Sequence, residues 1–299
     1  MQTLRSMLFS PGNRRDLIEK AGRSGADAVI VDLEDAVPAD AKDAARAGLA
    51  DLPVVPVPVY VRVNAVDTGW LWDDVVAAGQ AGVAGVVVPK AEDPDVMRRI
   101  DGALTALEVT AGRTTGEADV IPLIESALGV LATHAMLTSS ERVRAVLFGS
   151  GEQGDLVADL GCEWTPDGTG LLHARSHVLL AARAAGIDQP LDAVFMDFRN
   201  PDALRTECRL ARRLGYVGKV AIHPAQIPVI HEVFTPTPEE VAHHRRVLDA
   251  FEKALAEGSA SINVDGQMVD YAVARLARTV LARAEAAERM ASRAQEAMA

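Results

Sequence analysis

A closed (β/α)8 TIM barrel of the α/β class with a C-terminal helical extension is the fold that this 299-residue sequence predicts. Three observations lead there. Short β-branched runs alternate with longer amphipathic stretches, and they do so eight times. Runs such as AVIVDL, GVVVPK and AVLFGS are apolar on both faces, as strands enclosed between a barrel core and an outer helix layer must be. The alternation is uninterrupted, which favours a closed parallel barrel over an open doubly wound sheet, the structural alternative.

The patterning predicts strands at 6–10, 28–35, 59–64, 85–90, 120–126, 145–151, 191–197 and 218–224. Ala-, Leu-, Arg- and Glu-rich segments predict helices over 40–52, 94–110 and 201–214, and a longer glycine-containing loop, 161–170, precedes a helix running to about Ala185. These elements make a catalytic domain of residues 1–235. Residues 236–299 form the extension, expected to pack on a neighbouring subunit. In it Pro236 and Pro238 open a helix to about Glu257, a loop SASINVDGQ follows, and an amphipathic helix suited to a surface or an oligomer contact ends the chain.

Composition removes several classes of function. Apolar residues make up 49% and charged residues 24%, which is ordinary globular usage. No apolar run approaches the roughly 20 residues that span a bilayer, and the first residues lack the pattern of a secretory signal. A cytoplasmic protein with no membrane partner is expected. A formal charge of −12 repels nucleic acid, so any anionic ligand needs a local basic pocket. Cys162 and Cys208 have neither the number nor the spacing of a disulfide framework or a zinc site, and read as plain buried or half-buried thiols.

In such barrels chemistry sits where the βα-loops converge, at the C-terminal ends of the strands. Those positions are crowded with polar groups: Asp32, Glu34 and Asp35 after the second strand, Arg62 and Asn64 on the third, Lys90 on the fourth and Glu125 on the fifth. Glu152 and Asp155 follow the sixth, Asp197 the seventh and His223 the eighth. One such charge is as readily a solvated loop group or a structural ion pair; a charged group at seven successive strand ends describes a site. Glu125 closes the run VIPLIES and Asp155 follows the glycine-rich turn GSGEQGD at the start of a helix. Two carboxylates from neighbouring strands suit a hard cation such as Mg2+, with positions left for water and substrate oxygens, although carboxylates also pair with Arg.

Seven segments occur in order across the chain from Arg5 to about Ala282: RSMLFSPGNRRDLIEKAGRSGADAVIVDLEDAV, VYVRVNA, GVVVPKAED, PLIESA, FGSG…DLVADLG, GKVAIHPAQI and VDGQMVDYAVA. Together they resemble the citrate lyase β-subunit-like family, which includes citramalyl-CoA and malyl-CoA lyases within the Mg2+-dependent HpcH/HpaI aldolase superfamily. The resemblance implies a barrel holding Mg2+ through Glu125 and Asp155, a 2-oxo acid on the metal and a CoA thioester across the mouth. Arg62 would grip the acid's carboxylate, and Asp270 would act as the acidic residue that one subunit lends to the next, in a trimer or a multiple of three. Arg14 and Arg15 are candidates for the CoA phosphates. Asp32, Glu34, Asp35, Lys90 and His223 would support the groups that touch the substrate. GSGEQGDL departs from the family's usual spacing and leaves Glu152 as a second candidate for Asp155's place.

The expected reaction is cleavage of a 3-hydroxyacyl-CoA of the malyl- or citramalyl-CoA type into acetyl-CoA and a 2-oxo acid. The alternatives are the β subunit of a citrate lyase complex, acting on a carrier-protein thioester, and a malyl-CoA thioesterase. A sugar-acid aldolase lacks the Asp270 tail. A non-catalytic binding barrel should have lost at least one of Arg62, Glu125 and Asp155, and all three stand.

Overall fold

The computed structural model describes residues 4–298, with side chains described to 290 and at 292. Eight parallel strands close into a barrel in simple sequence order: β1 (Ser6–Pro11), β2 (Ala28–Asp32), β3 (Val59–Arg62), β4 (Gly85–Val88), β5 (Asp119–Ile124), β6 (Ala145–Phe148), β7 (Gln189–Asp192) and β8 (Gly218–Ala221). The helices of this part are α1 (Arg15–Gly22), α2 (Lys42–Ala47), α3 (Leu71–Ala81), α4 (Pro94–Thr110), α5 (Ala127–Leu137), α6 (Asp155–Leu160), α7 (Leu172–Ala184), α8 (Pro201–Leu214) and α9 (Ile227–Phe234). The strands are buried on both faces, as their unbroken apolar runs require.

Apart from β1, which runs one residue further to Pro11, the strands stop short of the predicted ends, and for local reasons. β2 ends at Asp32 because its carboxylate accepts the N–H groups of Glu34 (2.9 Å) and Ala36 (3.1 Å), turning the chain out of the sheet. β7 is displaced: it starts at Gln189, ahead of a proline, and ends at Asp192, so Asp197 is not at a strand end. Pro190 still contributes its carbonyl, which accepts Val217 N–H at 3.0 Å, but it has no N–H for the ladder, and this hides the strand from a reading by β propensity. Beyond Asp192, the Phe195 carbonyl is taken by the Gln226 side chain rather than by a neighbouring strand. The predicted helix 40–52 is broken into α2 flanked by two 3-10 turns. In contrast α4 and α8 begin and end where expected, because Asp93–Pro94 and Asn200–Pro201 cap them: each side chain accepts a first-turn N–H and proline takes the first helical position.

The chain divides into two compact units between Glu232 and Val233. The second contains α10 (Pro238–Ala256), a β9 (Ile262–Val264)–β10 (Gln267–Val269) hairpin and α11 (Tyr271–Met298). The hairpin replaces the expected loop, and its signal was present: Asp265–Gly266, both at positive φ, is a two-residue turn between short alternating runs. Val247, Phe251, Val269, Ala274 and Ala277 form the core of this unit. A capping box of Thr237 and Glu240 starts α10.

Barrel closure depends on a bare backbone at the β1–β8 seam. A Cβ on Gly218 would stand 2.5 Å from the Arg5 carbonyl oxygen and 2.6 Å from that of Leu4. Gly218→Ala therefore forces backbone apart, and we expect a loss of about 1–3 kcal/mol, on the scale of other overpacking changes. Thermal unfolding followed by circular dichroism checks this; an unchanged Tm would mean that the seam yields freely.

Candidate active site

The site is built from the ends of β2 to β6. Arg62, the last residue of β3, lies in register with Asp32, the last of β2. Its Nε and Nη2 donate to the two oxygens of Asp32 at 2.7 and 2.5 Å, a two-point pairing that fixes the guanidinium plane. The Phe9 ring lies 4.7 Å beneath it. Nη1 remains and faces Glu34 Oε2 at 2.9 Å and Asp35 Oδ2 at 3.7 Å. The Glu34 contact is close but off the hydrogen-bond direction, so it is coulombic, and both buried oxygens of Glu34 are without a hydrogen bond among the described residues.

Lys90 closes the other side. Its Nζ stands 3.4 Å from Glu34 and 3.6 Å from Asp155. Its backbone adopts φ 46°, left-handed and uncommon for a side chain of this kind. The Lys90 N–H donates to Glu125 Oε1 at 2.8 Å. Gly149 lets Glu125 sit there, since a Cβ at that position would meet the glutamate's own Cβ at 2.7 Å. Asp155 is the exposed first residue of α6, beyond the turn closed by Gly154 N–H on the Gly151 carbonyl.

Electrostatics set this cluster apart. Asp32, Glu34, Asp35, Glu125 and Asp155 gather around Arg62 and Lys90, while the buried Lys42 ammonium is taken up by the backbone carbonyls of Leu33 and Glu34 and by Asn64. Burial pushes Glu34 up to about 7, with Asp35 and Asp32 adding to the rise and Arg62 and Lys90 opposing it. Burial pushes Glu125 up to about 7 as well, aided by the neighbouring charges of Glu34 and Asp155. For Lys90 burial works downward, but Glu34 and Asp155 outweigh it and its pKa is raised. A buried carboxylate pair at neutrality with free oxygens, and a surplus of negative charge, is a setting that a divalent cation fits. Among the described residues no three His, Cys, Asp or Glu side chains are gathered as a ready-made metal cage. A hard cation here would take Glu125 and Asp155 and leave the rest of its shell to water and substrate oxygens.

Most of the other expected residues have partners of their own. His223 caps a 3-10 turn, its Nδ1 accepting Ala225 N–H at 3.1 Å, and stacks on Phe198 with ring centres 4.4 Å apart. Its ring is thus held by a backbone N–H and by an aromatic neighbour, as suits a structural role. Arg14 pairs with Asp16 and Arg15 with Asp51, all exposed. Asp197 and Glu152 are exposed loop residues. Asn64 is buried, bonded to Asp74 and Lys42. Asp270 lies in the second unit, where its Oδ1 accepts the N–H groups of Ala272 and Val273 at the start of α11. A cleft of about 790 Å3 lies elsewhere: Ser140, Glu141, Arg144, Asp188 and Gln189 are among the residues that line it, ahead of β6 and β7 and so at the opposite end of the barrel from these carboxylates.

A barrel with acidic strand ends of this kind matches known proteins closely. A family profile described as HpcH/HpaI aldolase/citrate lyase matches residues 5–224. The chain belongs to that family. A second profile, for carbon–carbon bond lyases of the TIM-barrel fold, matches residues 176–287. The citrate lyase subunit beta of Escherichia coli is 37% identical over 95% of this chain and 94% of its own length. The L-malyl-CoA/beta-methylmalyl-CoA lyase of Rhodobacter capsulatus is 32% identical, with 95% of each chain covered. Among solved structures, Mycobacterium tuberculosis CitE in complex with magnesium, acetoacetate and coenzyme A superposes with a TM-score of 0.76 at 34% identity, over 95% of this chain and 98% of that one. The HpcH/HpaI aldolase/citrate lyase family is one of carbon–carbon lyases, and this chain is an enzyme of that class.

Sequence reasoning placed Glu34 among supporting residues and missed that its carboxylate is the least satisfied in the site. It also missed Asp192, at the true end of β7. No local signal marked either, since both depend on which neighbours burial brings.

The shift of Glu34 has a sign that can be measured. Its folded value of about 7 lies above the ordinary 4.5, so between those limits the folded chain holds the proton more tightly than the unfolded one. That contribution to stability is present below the ordinary value and lost as pH rises through about 7. In chelator-treated protein, Tm of the wild type relative to Glu34→Gln should fall from about pH 5 to about pH 8. A constant difference across that window would show that Glu34 titrates normally.

Proposed function

We propose that this enzyme is a Mg2+-dependent lyase that cleaves a 3-hydroxyacyl-CoA of the malyl- or citramalyl-CoA type into acetyl-CoA and a 2-oxo acid. The observation that carries the reading is the surplus of carboxylates around Arg62 and Lys90, with Glu34 and Glu125 both pushed up to about 7. Bound through Glu125 and Asp155, Mg2+ would supply Lewis-acid stabilisation of developing charge on the substrate oxygens, worth several kcal/mol. Arg62, its plane fixed by Asp32, uses Nη1 to orient the carboxylate of the acid portion. Glu34, with both carboxylate oxygens without a hydrogen bond among the described residues, accepts the hydroxyl proton. As the hydroxyl carbon becomes the 2-oxo carbonyl, its bond to the thioester α-carbon breaks and the electron pair leaves on the thioester as an enolate. Asp270 from a neighbouring subunit returns a proton to that α-carbon, giving acetyl-CoA. Residues 236–299 then serve as the arm between subunits of a trimer or a multiple of three. Arg14 and Arg15, exposed beside β1, can exchange their surface aspartates for CoA phosphates. The unbridged thiols of Cys162 and Cys208 suit a cytoplasmic setting, and no described helix is long and apolar enough to cross a membrane.

A second reading has support of its own: identity to a citrate lyase β subunit, 37%, exceeds that to the malyl-CoA lyase, 32%. A carrier-protein thioester would then replace free CoA. Turnover of free CoA thioesters by the purified chain, with detection of the 2-oxo acid, favours the first reading; turnover only with an acylated carrier favours the second. Release of free CoA without a 2-oxo acid identifies a thioesterase.

Removing metal should abolish turnover, and added Mg2+ should restore it. Glu125→Gln and Asp155→Asn should stay folded yet show no Mg2+ binding by calorimetry and activity reduced at least about a hundredfold. An active Asp155→Asn beside an inactive Glu152→Gln would move the ligand to Glu152.

Sharing of Asp270 has a distinctive outcome. Asp270→Asn and Glu125→Gln should each be inactive alone, while co-expressed subunits recover activity, because some sites then combine an intact Glu125 with an intact Asp270. Without recovery in mixed oligomers, Asp270 serves its own barrel or none.

A further inference from the structure

Behind β7 and β8 lies a second charged cluster, fully buried and unused by the chemistry above. Asp192, the last residue of β7, is bonded to Lys219 Nζ of β8 at 2.7 Å and to Arg175 Nε of α7 at 3.1 Å. Glu207 of α8 completes a quartet, 3.3 Å from Arg175 and 3.4 Å from Lys219. Tyr216 donates to the Arg175 carbonyl at 2.9 Å, and the Arg175 guanidinium lies 5.6 Å from the Phe148 ring centre. Asp192 and Lys219 are wholly inaccessible, and Arg175 is 1% exposed. Burial opposes ionisation of Asp192, but Arg175 and Lys219 outweigh it and hold its pKa down, while burial raises that of Glu207.

Buried ion pairs of this kind contribute little net stability over apolar packing, because desolvation offsets the attraction. Their value lies in orientation, and here the oriented group has a further partner. Asp192 Oδ1 accepts the Ser150 hydroxyl at 3.1 Å. Ser150 is wholly buried and sits in the loop that leaves β6 and leads to Asp155. Its neighbours Gly149, Gly151 and Gly154 have no side chains, and Glu152 and Gln153 are exposed. Ser150 is thus the buried side-chain anchor of a glycine-rich segment, and its carbonyl takes a further bond from Trp164 Nε1 at 3.2 Å.

We propose that Asp192, held by Lys219 and Arg175, is a positioning residue that acts through Ser150 to set the loop carrying Asp155 against Glu125. The proposal rests on Asp155 and Glu125 being the Mg2+ ligands. Asp192 touches no substrate; its effect passes through one hydroxyl to the backbone between Gly149 and Asp155.

The test compares Mg2+ binding, by calorimetry, in the wild type, Asp155→Asn, Ser150→Ala and Ser150→Thr. All are made with Trp70→Phe and Trp72→Phe, so that Trp164 alone reports on the loop. Ser150→Ala should keep the far-ultraviolet spectrum of the wild type, shift Trp164 emission and weaken Mg2+ binding on the order of tenfold. Ser150→Thr, which keeps the hydroxyl, should bind Mg2+ within a fewfold of the wild type. Ser150→Cys replaces Ser150→Ala if the alanine variant is recovered unfolded, with the same expected loss. Mg2+ affinity in Ser150→Ala equal to that of the wild type, or an equal loss in Ser150→Ala and Ser150→Thr, would overturn the positioning role. A wild type that binds no Mg2+, or Asp155→Asn binding as the wild type does, would instead remove the metal assignment on which it rests.

Discussion

The pairing of Arg62 with Asp32 is the interaction on which the site depends. It joins the ends of two adjacent strands and places a permanent positive charge at one end of the barrel, locked by two hydrogen bonds and an aromatic ring below. Burial opposes that charge, yet Asp32 and Glu34 keep its pKa raised, so the guanidinium stays ionised under all ordinary conditions. Around such a centre carboxylates can collect that would otherwise repel one another out of the fold. Glu34, Asp35, Glu125 and Asp155 collect there in excess, and that excess favours a divalent cation.

The strand ends divide into two electrostatic districts. From β2 to β6 the charges face the mouth, unequal in number, with the Glu34 carboxylate oxygens without a hydrogen bond among the described residues. Behind β7 and β8, two acids and two bases are matched in number and buried, with α7 supplying Arg175 and α8 supplying Glu207. The matched quartet suits a fixed support, and the unmatched cluster suits binding and proton transfer. Ser150 connects the two, since its hydroxyl belongs to the quartet while its backbone belongs to the loop leading to Asp155.

Loop geometry at the mouth rests on small backbone devices. Asp32 turns the chain after β2 with its own carboxylate, Lys90 takes a left-handed conformation that directs its N–H at Glu125, and Gly149 leaves room for that glutamate. Such conformations at functional positions persist only where the surrounding fold over-determines them. In the second unit Asp270 uses its carboxylate to start α11, so the residue proposed to reach a neighbouring site is held by the helix that follows it.

The fold was legible because its signals are local and repeated. Runs apolar on both faces, repeated between amphipathic segments, suit strands enclosed on both sides, and Asp93–Pro94 and Asn200–Pro201 each supply a cap and a first helical residue. The crowd of charges at strand ends was legible for the same reason, and so was the family. Less visible was what depends on partners distant in sequence. Pro190 conceals a strand that exists because Ala145–Phe148 pairs with it. The Asp265–Gly266 hairpin was readable and was passed over inside a polar loop. Sequence by itself determined the barrel, the helical tail and the set of acids at the mouth, since burial and turn chemistry act within a few residues. Only the tertiary structure decided which of those acids are left unsatisfied, that His223 serves as a cap, and that Asp192 stands behind Ser150. Desolvation and charge pairing are summed over neighbours from every strand, and no single segment contains that sum.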